Sequence, residues 1–152
     1  LHVAIKTNDL AATVAFYRDV IGLEEVYRPP FKHQGAWLAC PGSEAIVHIY
    51  AAGPGVGDGG PTPTGTSAID HVSLTATGFH AYVDKFRGLG IEWREFKVPN
   101  APLWQLFVFD PSGVQLELTF DERQESGPPP DMSDARRYQA GENFFRPAPP
   151  AR

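Results

Sequence analysis

Short runs of alternating apolar and polar residues predict strands along most of this chain, and a helical period interrupts them twice. The opening "LHVAIK" (Leu1 to Lys6) and the later "IDHVSL" (Ile69 to Leu74) each set a histidine before a valine in a strand-like phrase. After the first phrase, Leu10, Val14, Tyr17 and Ile21 fall on one helical face, with Asp9 placed to cap it and Gly22 to stop it. After the second, Phe79, Val83 and Phe86 share a face, with Thr77 as the expected cap and Gly90 as the stop. Each helix is followed by about three short β-rich runs. The turns "CPGS" (Cys40 to Ser43) and "DPSG" (Asp110 to Gly113) divide them.

The two phrases belong to a repeat. At an offset of 69 residues His2 meets His71, Val3 meets Val72, Ile5 meets Leu74, Val14 meets Val83, Tyr17 meets Phe86 and Arg18 meets Arg87. The offset persists into the last strand, where "AIVHIY" (Ala45 to Tyr50) aligns with "VQLELTF" (Val114 to Phe120) and His48 meets Glu117. Each half therefore reads as strand, helix, then three strands. The expected organisation is an α+β domain with a first module over 1–50, a linker over 51–68, a second module over 69–120 and a tail over 121–152. The Gly/Pro-rich linker lacks the Gly-Lys-Ser/Thr of a phosphate loop and reads as a flexible connector.

Strand parity gives the repeat a chemical meaning. In "HVSL", His71 and Ser73 face one way and Val72 and Leu74 the other. In the last strand Gln115, Glu117 and Thr119 share a face opposite Leu116, Leu118 and Phe120. His2 and His48 likewise oppose Val3, Ile5, Val47 and Ile49. Four candidate metal ligands, His2, His48, His71 and Glu117, are thus expected on the faces that do not pack on helices. His48 reads either as a ligand or as an acid–base group beside the metal. Histidine and carboxylate donors suit divalent iron, manganese, nickel, zinc or cobalt.

Composition narrows the partners. A net charge of −5 with no basic run argues against nucleic acid, and no apolar stretch is long enough for a bilayer. The single cysteine, Cys40, excludes an intrachain disulfide framework, fits a reducing, cytoplasmic setting, and is expected to be a small buried side chain. The chain opens at Leu1 rather than at a methionine, and native residues before it are expected. His80 is expected on the surface of the second helix, and His33 in a loop within reach of a substrate.

The segments "HVAIKTNDLAATVAFYRDVIGL", "DHVSL" and "FVFDPSGVQLEL" together resemble the vicinal oxygen chelate superfamily, over roughly residues 1–120. The resemblance implies two tandem βαβββ modules forming a cup-shaped mixed sheet around one divalent metal, and a homodimer. His71 and Glu117 match the family's ligand positions most clearly, and His2 matches the opening-strand ligand. His48 sits where glyoxalase I carries a carboxylate. The chemistry implied is chelation of adjacent oxygens of a small substrate and stabilisation of an enolate-like charge, as in a lyase or isomerase, with Glu117 as base.

Departures from the family weigh on the alternatives. Extradiol dioxygenases carry a tyrosine before the "DPxG" turn and a histidine some residues earlier. Here Phe107 and the Val98, Pro99, Asn100 stretch stand instead, and phenylalanine has no hydroxyl to offer. Bacterial glyoxalase I carries an arginine and an asparagine for glutathione where Lys6 and Ala52 stand. A non-haem iron dioxygenase remains the alternative, and a drug-binding protein of the bleomycin-resistance kind the second. Lys6, Trp37, Tyr50, Trp104, Phe107 and Phe109 are the candidate substrate-lining residues. The tail is proline-rich, which is the composition of a solvated end. Its Phe144 and Phe145 are nevertheless expected to dock on the body of the domain, on this chain or, by preference, on the partner chain of a homodimer.

Overall fold

A computed structural model describes residues 2–51, 64–66 and 68–146. Ala52 and most of the linker lie outside the described residues. The chain divides into two compact units, residues 1–65 with 110–112, and 66–109 with 113–152. Each contains one open four-stranded mixed sheet.

In the first unit, β1 (Val3–Thr7) leads to a helix α1 (Leu10–Ala15), then β2 (Glu24–Val26), β3 (Gln34–Ala39) and β4 (Ala45–Ala51), in sheet order β1-β4-β3-β2. β1 runs parallel to β4, and the other pairs are antiparallel. Asp9 caps α1 as expected, its Oδ1 accepting from the Ala12 amide at 2.9 Å. The helix does not continue as α. Phe16–Ile21 is a π-helical turn, closed where the Gly22 and Leu23 amides both donate to the Tyr17 carbonyl, with Gly22 left-handed at φ 94°. The wider turn changes the buried face. Thr13, Phe16, Tyr17, Val20 and Ile21 go inward, whereas the expected Leu10 and Val14 are only half-buried. The Tyr17 hydroxyl donates to Asp110 Oδ2 at 3.0 Å with both residues fully buried.

The second unit repeats the plan: β5 (Val72–Thr75), α2 (Phe79–Leu89), β6 (Trp93–Lys97), β7 (Leu103–Phe109) and β8 (Gln115–Asp121), in order β5-β8-β7-β6. The register repeats too, Ala4 facing His48 in one sheet and Ser73 facing Glu117 in the other. Phe79, Val83 and Phe86 are the buried face of α2, against Trp104, Phe120 and Trp93. Thr77 is not the cap. Gly78 is left-handed, and the Glu125 carboxylate accepts from the Gly78 and Phe79 amides at 2.9 and 2.8 Å. Val98, Pro99 and Asn100 belong to the β6–β7 connection, with Asn100 at φ 57°.

The tail is irregular but packed on the second unit. After a 3-10 turn (Glu122–Gln124) it runs beside β6, whose Glu95 amide donates to the Arg136 carbonyl while the Tyr138 amide donates to the Glu95 carbonyl, each at 2.9 Å. This covers part of an otherwise open strand edge. The Glu95 carboxylate is buried and accepts from Trp93 Nε1 and the Asp131 amide. The Arg136 guanidinium lies 3.8 Å from the Trp93 ring centre. Phe144 is buried on Phe109 of the same chain, so it docks on the body of its own domain. Cys40 is exposed in its turn, against the expectation of burial, because strand β3 ends at Ala39 and the turn carries it outward.

Candidate metal and substrate site

Each sheet presents one face to its helix and one face carrying polar side chains. In the first unit the polar-bearing face holds His2, Lys6, Trp37, His48 and Tyr50. Register places Trp37 across from His48 and Lys6 beside Tyr50. His48 stacks on His2 with ring centres 3.7 Å apart and 15° between planes, and on Trp37 at 4.2 Å and 8°. Burial, with the nearby charges of His2 and Arg28, holds the His48 imidazole below its ordinary pKa. It is therefore neutral near pH 7, the form that ligates or accepts a proton. His2, Tyr27, Trp37, Glu44 and His48 are among the residues around a cleft of about 420 Å³. That volume falls within the roughly 300–1,000 Å³ usual for small-molecule sites. His33 packs on Phe31 and Tyr50.

The second unit builds a different pair. His71 Nδ1 lies 2.7 Å from Asp70 Oδ1, and His71 Nε2 lies 3.3 Å from Glu117 Oε2. Asp70 is held below the ordinary carboxylate range, chiefly by that hydrogen bond, so it is an ionised acceptor. The Nδ1 atom accordingly carries the proton, and Nε2 is turned toward Glu117. The other Glu117 oxygen, Oε1, accepts from Ser73 Oγ at 2.6 Å and Thr119 Oγ1 at 2.7 Å. Glu117 is 8% exposed. A buried carboxylate so placed needs compensation, and among the described residues its Oε2 faces the imidazole nitrogen.

The candidate lining residues separate by parity. Phe107 faces Glu117 across the strands and shares its face with Phe109. Trp104, three residues from Phe107, falls on the other face and packs against Phe79 and His80 of α2. Phe109 is on the correct face but is covered by Phe144 and Phe145. Two residues absent from the sequence reading join the site. Asp70 gathers His71, Gln115 and Tyr138 on one carboxylate oxygen. Tyr138, from the tail, stacks on Phe107 at 3.6 Å and 7°. Asp70 was findable as the acid next to a candidate ligand; nothing in the local sequence points to Tyr138.

Each half thus brings together its own two candidates, His2 with His48 and His71 with Glu117. Among the described residues, no three His, Cys, Asp or Glu side chains form a group that could hold a metal ion. The family model for the Glyoxalase/Bleomycin resistance protein/Dioxygenase superfamily matches residues 1–118. The chain belongs to that superfamily. Solved structures similar to this glyoxalase-family chain include a lactoylglutathione lyase from Agrobacterium tumefaciens, 22% identical, covering 83% of this chain and 96% of that one at a TM-score of 0.58. A glyoxalase/bleomycin resistance protein/dioxygenase domain from Frankia is 19% identical, covering 79% and 94%, at 0.63. A mutant of the fosfomycin resistance protein FosX from Listeria monocytogenes, complexed with Mn(II) and a dihydroxypropylphosphonic acid, is 18% identical, covering 78% and 88%, at 0.57. At these identities the likeness is one of fold. No curated protein matches the chain. No helix among the described residues is long and apolar enough to cross a membrane.

Proposed function

We propose that this chain is a divalent-metal-dependent enzyme of the glyoxalase type that acts on a small substrate with adjacent oxygens. One observation carries the reading. With Nδ1 engaged by Asp70, His71 Nε2 and Glu117 Oε2 stand 3.3 Å apart. An imidazole nitrogen and a carboxylate oxygen turned toward one another are a donor pair that a shared cation, like a shared proton, would join. A first-row divalent ion fits an imidazole and carboxylate donor set, and the FosX relative was crystallised with Mn(II). His71 and Glu117 would hold the ion; in the first unit the candidates are His2 as a donor and His48 as a donor or acid–base group. When bound, the ion supplies Lewis-acid stabilisation of negative charge on the substrate oxygens. Ser73 and Thr119 hold Glu117 by Oε1, so Oε2 would be the oxygen that serves as ligand or, once released from that duty, as base. Asp70 keeps the His71 tautomer.

The test is metal content. Full-length protein dialysed against Mn(II), Co(II), Ni(II) or Zn(II) should retain one equivalent of at least one of them. His71→Ala and Glu117→Ala should retain none. A wild-type chain that retains no metal would end this reading and favour a metal-free binder. Oxygen uptake with catechols would move the chemistry to the dioxygenase.

A further inference from the structure

The family match ends at residue 118, yet a residue twenty positions beyond it lies in the middle of the candidate site. Tyr138 is not there by a loose contact. Its amide is bonded to Glu95 of β6, and the preceding turn is held by the Arg136 guanidinium on Trp93 and by the Asp131 amide on the buried Glu95 carboxylate. One face of the Tyr138 ring is spent on Phe107, nearly parallel at 3.6 Å. Phe107 is the strand neighbour of Glu117 and meets the His71 ring edge-on at 5.8 Å. The Tyr138 hydroxyl reaches Asp70 Oδ1 at 3.3 Å, the oxygen that also holds His71. Tyr138 is half-buried.

The position has a counterpart. Trp37 faces His48 as Phe107 faces Glu117, and in the first unit that aromatic ring stacks on the site residue itself. In the second unit the place above the aromatic ring is filled by Tyr138. Both halves therefore set flat π surfaces beside their candidate donors, and aliphatic side chains take neither place. Flat rings favour flat groups, through offset or edge contacts.

We infer that Tyr138 is a specificity-determining residue of the His71–Glu117 site and selects ligands that carry a planar unsaturated or aromatic group beside their chelating oxygens. The inference rests on the metal site proposed above. It makes the tail a working part of the site, fastened along β6 so that one ring is presented at Phe107.

The experiment compares two probes with one chelating head: acetohydroxamate and benzohydroxamate, titrated into the Co(II)-loaded full-length chain and followed by the visible spectrum of the metal. Wild type should bind the benzo compound about tenfold more tightly than the aceto compound, the scale of one aromatic contact. Tyr138→Ala should bring that ratio to about one. Tyr138→Phe should preserve it, since the ring and not the hydroxyl makes the selection. The ratio is insensitive to any change in metal affinity, because both probes bind the same ion. A ratio that stays near wild type in Tyr138→Ala overturns the inference, as does a wild-type ratio of one. A wild-type chain that takes up no Co(II) overturns the metal reading, and this inference with it; that result is read before any probe is added.

Discussion

The two halves of this chain share a backbone plan down to the register, and they use it for different chemistry. Ala4 faces His48 and Trp37 faces His48 in one sheet; Ser73 faces Glu117 and Phe107 faces Glu117 in the other. In the first half the site residue is a neutral imidazole held by stacking on His2 and Trp37. In the second it is a buried carboxylate held by two hydroxyls and set against an imidazole that a second carboxylate orients. Duplication supplies equivalent positions; the neighbours at ±2 along the strand, and here a tail, decide what each position does.

The largest expected effect tests that division directly. Glu117→Ala should abolish stoichiometric metal binding, because it removes the anionic donor. His48→Ala should leave metal bound, with affinity lowered if His48 is a ligand and unchanged if it moves protons. Isothermal titration with Zn(II) separates the two. A His48→Ala loss as complete as that of Glu117→Ala would mean that the halves contribute alike.

The tail is the second difference: its described residues pack on the second unit, along β6, on Phe107 and Phe109, and at the start of α2. Phe144 is 7% exposed, packed on Phe109 at 4.7 Å and lying under the Arg94 guanidinium at 4.6 Å. Phe144→Ala should cost about 2–3 kcal/mol in urea unfolding. Phe145, only half-buried, should cost less than about 1 kcal/mol on the same change. Equal costs would show that the tail is not seated by Phe144.

In the first unit the corresponding anchor is polar. Burial, with Asp110 beside it, pushes the Tyr17 phenol well above its ordinary value. The unfolded chain therefore loses this proton first. The contribution is fully present below about pH 10 and is lost as the pH rises beyond it. Tyr17→Phe should lower stability at pH 7 by about 1–3 kcal/mol, because a buried hydrogen bond to a charged group is lost, and should flatten the alkaline limb. A variant whose stability falls above pH 10 as steeply as wild type would assign that limb elsewhere.

Much of this architecture was legible because strands and repeats announce themselves locally. The 69-residue offset and strand parity placed His2, His48, His71 and Glu117 on the correct faces, and Ser73 and Thr119 beside Glu117. Parity also held the answer for Trp104, which an odd spacing from Phe107 puts on the helix face. What was not legible depends on distant partners. The π-helical turn has no local signal, and Tyr17 within it meets Asp110 ninety-three residues away. Cys40 is exposed by where a strand ends, and Tyr138 reaches the site by a tail path that no periodicity encodes.

The smallest expected effect concerns how each helix begins. Asp9 caps α1 from within its own turn, with one bond to Ala12. α2 has no side-chain cap of its own, and Glu125 supplies both oxygens to Gly78 and Phe79 from 47 and 46 residues away. A carboxylate at a helix start gains both hydrogen bonds and a favourable dipole, together about 1 kcal/mol at a partly exposed site. Asp9→Ala and Glu125→Ala should therefore each cost about 1 kcal/mol in urea unfolding. Glu125→Ala should in addition speed amide exchange at Gly78 and Phe79, which lose their acceptor. Thr77→Ala is the discriminating control, since sequence alone assigns it the cap and the structure does not. It should be silent to within about 0.5 kcal/mol. If Thr77→Ala costs more than Glu125→Ala, the helix is capped locally in both halves, and this contrast between them disappears.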